Sequence, residues 1–506
     1  MTLSPSSARL AEPTGSGPAR TGVRRDLLAD AGARALIAAV AVVGTVLQAR
    51  DGTLHTPWPP LLATWDPHIG PGTPAAVAVG AAAIAYGPGL AARVPWRALL
   101  ALNWATATAW TLSLALVDGW HLGVAGRLTT RYEYLSGVSR FHDVGSALRG
   151  FTSHILLGNA QSWPAHIAGH PAGAVLTFVG LDHAGLGGGA WAALFCVVTG
   201  GSVAAAVLVA LRALAGERTA RRAAPFLALA PGAVWVGVSA DGYFAAVAAW
   251  ALALLALAAT RTVRFPAVVA AASGLLLGWA VYLSYGLTLL AVPALAILLY
   301  ARTARPLLPA LAAFAAVVVA FTAAGFSWWT AYSLLVPRYY QGVGGDRPYA
   351  YWLFGDLGTV VVTAGLASVA GLRRAAGALP AAVRAWWANR TGAAATSAPD
   401  DGAPATGALE GDTPATGAPE SGVPGGGAPS RGGAGAVAVL VCAFVLAILA
   451  ADLSGMSKAE TERIWLPFTL WLPAAAALLP ARHARPWLAA QVVTALLVNH
   501  LLLTYW

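Results

Sequence analysis

Long apolar runs broken by short polar or arginine-rich stretches repeat along this chain from about residue 32 to its end. A hydrocarbon core about 30 Å thick needs roughly 20 helical residues, and lipid tolerates no unpaired backbone. Runs of that length therefore predict membrane-spanning helices. Thirteen are read: 32–48, 74–91, 98–117, 190–211, 224–239, 242–260, 266–283, 286–300, 307–325, 357–372, 434–451, 463–480 and 487–504. The expected fold is an all-α polytopic membrane protein of about 13 transmembrane helices.

One apolar stretch does not fit. "SWPAHIAGHPAGAVLTF" (162–178) stops at Asp182, too soon to cross a bilayer. Charge decides how to place it. With the N-terminus cytoplasmic, the inner segments hold 22 of the 31 Lys+Arg and 9 of the 21 Asp+Glu. The outer segments hold 9 and 12, so the inner side carries about +13 and the outer about −3, as the positive-inside rule requires. Counting 171–186 as a span would turn most arginine clusters outward. The segment is therefore expected to lie on or dip into the outer face, within one large external loop, 118–189. A second external loop, 326–356, is dense in Trp, Tyr, Gly and Arg.

Composition agrees with this picture. The chain is 58% hydrophobic and 10% charged with mean hydropathy +0.66, against about 25% charged in soluble domains. Arginines facing an anionic leaflet account for the net charge of +10 without any nucleic acid. Cys196 and Cys442 sit in apolar runs and read as small buried hydrophobes. Residues 1–31, polar and rich in Pro, Gly and Ser, predict a disordered cytoplasmic arm. Residues 391–432, with their repeated "PATGA", predict a disordered cytoplasmic linker between a module at 32–390 and C-terminal helices at 433–506. The Ala/Gly/Arg-rich composition with a single lysine suggests a high-GC genome.

Polar groups that do chemistry in a membrane protein concentrate at span ends and ordered loops. In "LVDGWHLG", Asp118 ends a span; it is a candidate general base, or a plain Asp-Gly turn. In "RLTTRYEYLSGVSRFHDVG", Glu133, His142 and Asp143 are candidate acids or bases, and Arg127, Arg131 and Arg140 could meet an anion. An interfacial amphipathic helix explains the same residues. His166 and His170 have metal-ligand spacing, but Gly169 and Pro171 disfavour one continuous helix through both. Pro171 fits the first turn of a helix, which places His170 outward at an anion-friendly terminus. "DLSGMSKAETERIWLPF" crowds Lys458, Glu460, Glu462 and Arg463 at a span start, where Arg463 could grip phosphate or simply anchor at the interface. Asp241 lies in a very short external turn.

These pieces resemble the GT-C superfamily of membrane glycosyltransferases, which use polyprenyl-phosphate sugars. The likeness rests on "VDG", the long outer loop, "GHPAG", the Arg-rich "RALAGERTARR" and "LAPGAVWVGVSADGYF", covering about 98–300. "ETERIWLPF" looks like a phosphate-side segment of actinobacterial members. The resemblance implies an acid of the outer loop, Asp118 or Glu133, taking the acceptor hydroxyl's proton. His170 and Arg463, with Arg338 or Arg347, would hold the lipid phosphate, with His166, Asp143 and Asp241 nearby. A polyprenyl-phosphate sugar would be the donor and a cell-envelope glycan, lipid or protein the acceptor. The implied reaction is a single inverting displacement on the extracytoplasmic face. Two spans precede the motif span where many members have one, and Pro-Ala stands where the family has Pro-Pro. Trp328, Trp329, Tyr339, Tyr340, Tyr349 and Tyr351 could stack on sugars or form an interfacial belt. No dedicated metal-ligand cluster is visible; a carboxylate-bound Mg²⁺ or Mn²⁺ leaves only a weak trace in sequence. The alternatives are a polytopic transporter or lipid flippase, or a non-catalytic assembly scaffold.

Overall fold

The computed structural model describes residues 18–158, 161–390 and 431–505. The protein is a multi-pass helical membrane protein. Among the described residues, seven helices are long and apolar enough to cross a bilayer, or up to nine if two bent helix pairs each count as one span. The thirteen expected spans are not all of this kind.

The first helix, α1 (Pro18–Asp51), runs longer than its apolar stretch. Residues 18–31, expected as part of a disordered arm, are helical. Buried Asp26 explains the extension: it pairs with Arg373 at 2.7 Å and Arg374 at 2.6 Å, clamping the start of α1 to the helix Leu366–Arg390. Residues 1–17 and the linker stretch 391–430 lie outside the described residues; 431–432 open the helix Arg431–Leu453. Helices α2 (Thr73–Arg93) and α3 (Trp96–Ala115) follow the expected spans closely.

Burial sorts the spans. In α1 and α2 only 17% of the apolar window is buried, so they border lipid, whereas the helix Ala240–Thr260 is buried over 72% and forms the axis. An alanine- and leucine-rich helix that is apolar all round can only be satisfied by neighbours all round. Small residues bring helices close: a Cβ on Gly274 would sit 2.0 Å from the carbonyl of Ala310 on the helix Leu307–Ala323.

Three expected spans are broken. The run 224–239 becomes a helix ending at Ala228 and a short turn, Ala233–Val236. The run 357–372 is interrupted at Gly365, where the chain bends by 105° between Tyr349–Ala364 and Leu366–Arg390. Gly365 has φ +84° and packs on Pro231, so a side chain there is excluded on both counts. The run 463–480 is three short helical pieces. The last apolar run ends its helix at Leu501, and β2 (Leu502–Thr504) pairs antiparallel with β1 (Ala63–Trp65), Ala63 opposite Thr504.

Charged side chains lie at both ends of the bundle. At one end Arg221 donates to the carbonyls of Ala91 and Val94, Arg222 to Ala477, and Arg212 stacks 4.5 Å over Trp96. The opposite end carries the loop 116–188 and the clusters described next. A cavity of about 370 Å³, lined by apolar residues with Tyr86, Asn103 and Thr106, opens between α2, α3 and the helix Glu217–Ala228.

Candidate active site

Under the long loop, side chains from four distant segments converge. Glu133 precedes a 3₁₀ helix, Tyr134–Phe141, in which Gly137 has no room for a side chain: a Cβ would lie 2.3 Å from Ile167 Cδ1. That close approach seats the short helix Ala165–Gly169 against Glu133, and the His166 amide donates to the Tyr132 carbonyl. His166 Nδ1 then lies 3.0 Å from Glu133 Oε2. On its other side His166 Nε2 is 3.3 Å from Arg463 Nη2, and Arg463 Nη1 donates to Asp241 Oδ2 at 2.6 Å. Asp241 stands in the first turn of the central helix, where the helix dipole favours a carboxylate. Glu133, His166, Asp241 and Arg463 are all less than one-tenth exposed.

Proton positions follow from what each partner can do. A guanidinium only donates, so His166 Nε2 accepts and its proton sits on Nδ1, facing Glu133. Burial alone would raise the Glu133 carboxyl, but His166, Arg463 and His170 together hold it below its ordinary value. Glu133 is therefore an ionised carboxylate at neutral pH.

His170 departs from expectation. It sits in extended backbone (φ −129°, ψ 154°) before the helix Ala172–His183, as Pro171 dictates. Its ring turns inward and not outward: it packs edge-on to Tyr134 at 5.6 Å and against Phe244 at 5.9 Å. Nδ1 donates to the His166 carbonyl at 2.8 Å, and burial pushes its pKa down to about 4. A neutral ring with its proton on Nδ1 offers a lone pair at Nε2, which suits a hydroxyl better than a phosphate. The rings of His166 and His170 are 6.5 Å apart and nearly perpendicular. Tyr134, fully buried, stacks on Phe178 at 5.4 Å and forms the floor beside both histidines.

Arg463 is delivered by a tight loop. Ala459 and Glu460 both adopt left-handed backbone, φ 68° and 64°. Buried Asp356 holds the turn, accepting from the Ala459 amide at 3.3 Å and the Thr461 hydroxyl at 3.1 Å. Glu460 lies between two arginines, 3.4 Å from Arg347 Nη1 and 3.5 Å from Arg463 Nη2. Arg347 also donates to the carbonyls of Leu54 and Lys458.

Of the residues singled out from sequence, Glu133, His166, His170, Asp241, Arg463 and Arg347 thus come together. Asp118 does not join them. It pairs with Arg127 at 2.5 Å and with His68 at 2.8 Å. Asp143 is exposed and caps the short helix Val144–Arg149 by accepting from the Ser146 amide. Arg338 is half-buried on the helix Trp328–Tyr340 and forms no ion pair among the described residues. Several expected sugar-stacking aromatics anchor helices: Trp328 donates to Val281, Tyr349 to Leu453 and Tyr351 to Val40. Trp329 and Tyr340 remain open. Tyr134 and His68 also belong to these clusters, and no flanking spacing marks either of them in the sequence.

No family model matches this chain, and neither a curated protein nor a solved structure matches it.

Proposed function

We propose that the protein is an inverting membrane glycosyltransferase of GT-C type. It moves a sugar from a polyprenyl-phosphate donor to a hydroxyl of a cell-envelope glycan, lipid or protein on the extracytoplasmic face. The observation that supports this most is the buried chain Glu133–His166–Arg463–Asp241, which places an ionised carboxylate and a guanidinium in one sheltered site. Glu133 accepts the acceptor hydroxyl's proton as the oxygen attacks the sugar C1. His166 orients that carboxylate, and the neutral Nε2 of His170 receives a second hydroxyl of the sugar or acceptor. Arg463 and Arg347 stabilise charge growing on the leaving phosphate. Displacement in one step inverts the anomeric centre. Glu133 is preferred to Asp118 as base because Asp118 is already bound on both oxygens by Arg127 and His68.

The test is release of polyprenyl phosphate by purified protein given a polyprenyl-phosphate sugar and envelope acceptors. Glu133→Gln should lower transfer on the order of 10²–10⁴-fold, the usual worth of a general base, while insertion and folding persist. Undiminished transfer by that variant rejects the assignment. A transporter reading draws on one specific feature, the buried carboxylates Asp356 and Asp452, with Asp356 on the helix that breaks at Gly365. Substrate flux across proteoliposomes without any sugar transfer would select it instead.

A further inference from the structure

Two positive charges beside the proposed site are held together with too little negative charge. The Lys458 ammonium donates to the Arg347 carbonyl at 2.9 Å, and the Arg347 guanidinium donates to the Lys458 carbonyl at 2.7 Å. This reciprocal exchange locks two buried cations side by side: both residues are less than one-tenth exposed. Lys458 Nζ lies 5.7 Å and 5.4 Å from the rings of Tyr339 and Tyr340. Among the described residues no carboxylate pairs with Lys458, and the acid paired with Arg347 is Glu460, at 3.4 Å. Arg463 differs, since Asp241 already matches it at 2.6 Å. Buried charge demands a counter-charge, and here, among the described residues, Arg347 has one carboxylate, at 3.4 Å, and Lys458 is paired with none.

Glu460 is a poor permanent partner. Its distances to Arg347 and Arg463 exceed the about 2.7–2.9 Å of a good charge-assisted hydrogen bond. Its backbone is left-handed, like that of Ala459 before it, a conformation that L-residues adopt only at a cost. Its side chain is 22% exposed, more open than either arginine it touches, so it has a way out to solvent.

We propose that Arg347 and Lys458 form a phosphate subsite, and that Glu460 is its built-in occupant, displaced when a phosphate group enters. A phosphate carries more charge than one carboxylate and presents more acceptor oxygens, so it satisfies both cations where Glu460 satisfies one. The role assigned to this phosphate, the leaving group of sugar transfer, rests on the proposed glycosyltransferase reading; the subsite itself is built by the charges above.

The experiment measures binding to purified full-length protein in nanodiscs, with polyprenyl phosphate and inorganic phosphate as separate probes. Glu460→Gln keeps the shape and removes the charge. If Glu460 fills the site in most molecules, this variant binds a phosphate probe about 10-fold tighter than wild type, because the competing occupant is gone. Adding Lys458→Gln to Glu460→Gln removes the gain. A gain for polyprenyl phosphate alone identifies a lipid source, and a gain for inorganic phosphate as well identifies the free ion; either supports the subsite. Equal or weaker binding of both probes by Glu460→Gln and also by Glu460→Ala, with wild-type melting profiles, overturns it. Should either variant unfold, wild type against Lys458→Gln decides: equal affinity for both probes overturns the subsite, weaker binding upholds it. Tighter binding without any sugar transfer by wild type would keep the subsite and reject the glycosyltransferase. Transfer that depends on Glu133, with no gain in the Glu460 variants, would do the reverse.

Discussion

Asp118 and Glu133 belong to the same loop, are similarly sheltered, and each faces a histidine and lies near an arginine. What stands behind those partners differs. Arg127 passes from Asp118 to the carbonyl of Thr504, and His68 passes from Asp118 to the carbonyl of Asp66. Both lines end on backbone. Together with the β1–β2 pairing, they clasp the α1–α2 loop, the end of α3 and the C-terminal strand into one piece. Behind Glu133 the line runs from His166 to Arg463, then to Asp241 and Glu460, side chain to side chain. A carboxylate whose partners end on carbonyls holds chain segments in place. One whose partners end on further ionisable groups sits in a charge distribution that a proton or an anion can rearrange.

The sharpest break of this comparison exchanges the two acids for their amides. Glu133→Gln should abolish most sugar transfer at nearly unchanged stability, as set out above. Asp118→Asn should do the opposite. It leaves Arg127 buried without its counter-charge, which costs several kcal/mol in a fully dry pair. The Asn oxygen still accepts and the site borders water, so about 2 kcal/mol of stability is the expected loss. Thermal melts in nanodiscs and initial transfer rates on the same preparations check both halves. If Asp118→Asn loses transfer as deeply as Glu133→Gln without loosening the fold, the two clusters do not divide the labour in this way.

Spans were legible where an apolar run met no backbone break, as in α2, α3 and Ala240–Thr260. Hydropathy averages over a window and cannot register one glycine with φ +84°, so the sequence 357–372 predicts one continuous span where the chain bends at Gly365. The site was legible as a set of residues but not as a set of pairs. Loop position and residue type pointed to Glu133, His166, Asp241 and Arg463. That Arg463 reaches both Asp241 and His166 depends on packing between segments hundreds of residues apart, which leaves no local pattern. Asp118 stands beside Glu133 in the sequence as another acid of one outer loop. His68, the residue that separates their roles, sits in a stretch with no recognisable spacing.

Glu462 extends the backbone-terminated class and sharpens it by pH. It is fully buried, and its Oε1 accepts from the Leu62 amide at 3.0 Å, in the same α1–α2 loop that Asp118 clasps. Burial raises its pKa to about 7 from an ordinary 4.5. A folded-state pKa above the unfolded one contributes stability in full below pH 4.5, lost as pH rises through about 7. Wild type should therefore melt at lower temperature at pH 8 than at pH 6. Gln at this position keeps the acceptor and carries no charge. Glu462→Gln should flatten that slope, which in wild type amounts to about 1 kcal/mol lost between pH 6 and pH 8, the worth of roughly one pKa unit. Parallel pH profiles for the two proteins would remove Glu462 from the structural class.

The smallest effect is expected at Asp143, which carries the same kind of carboxylate in the same loop with neither arrangement behind it. Its oxygens accept from the Ser146 amide and hydroxyl, at the start of a six-residue helix that buries only Leu148. Asp143→Ala removes a local cap. Amide exchange should quicken across 144–149, while transfer rate, phosphate affinity and global melting stay at wild-type values. The comparison between Asp118 and Glu133 rests on what lies behind each carboxylate. An acid with only its own helix behind it should disturb only that helix. A drop in transfer for Asp143→Ala without global loosening would mean that position in the loop, and not the partners behind the acid, decides which carboxylate acts.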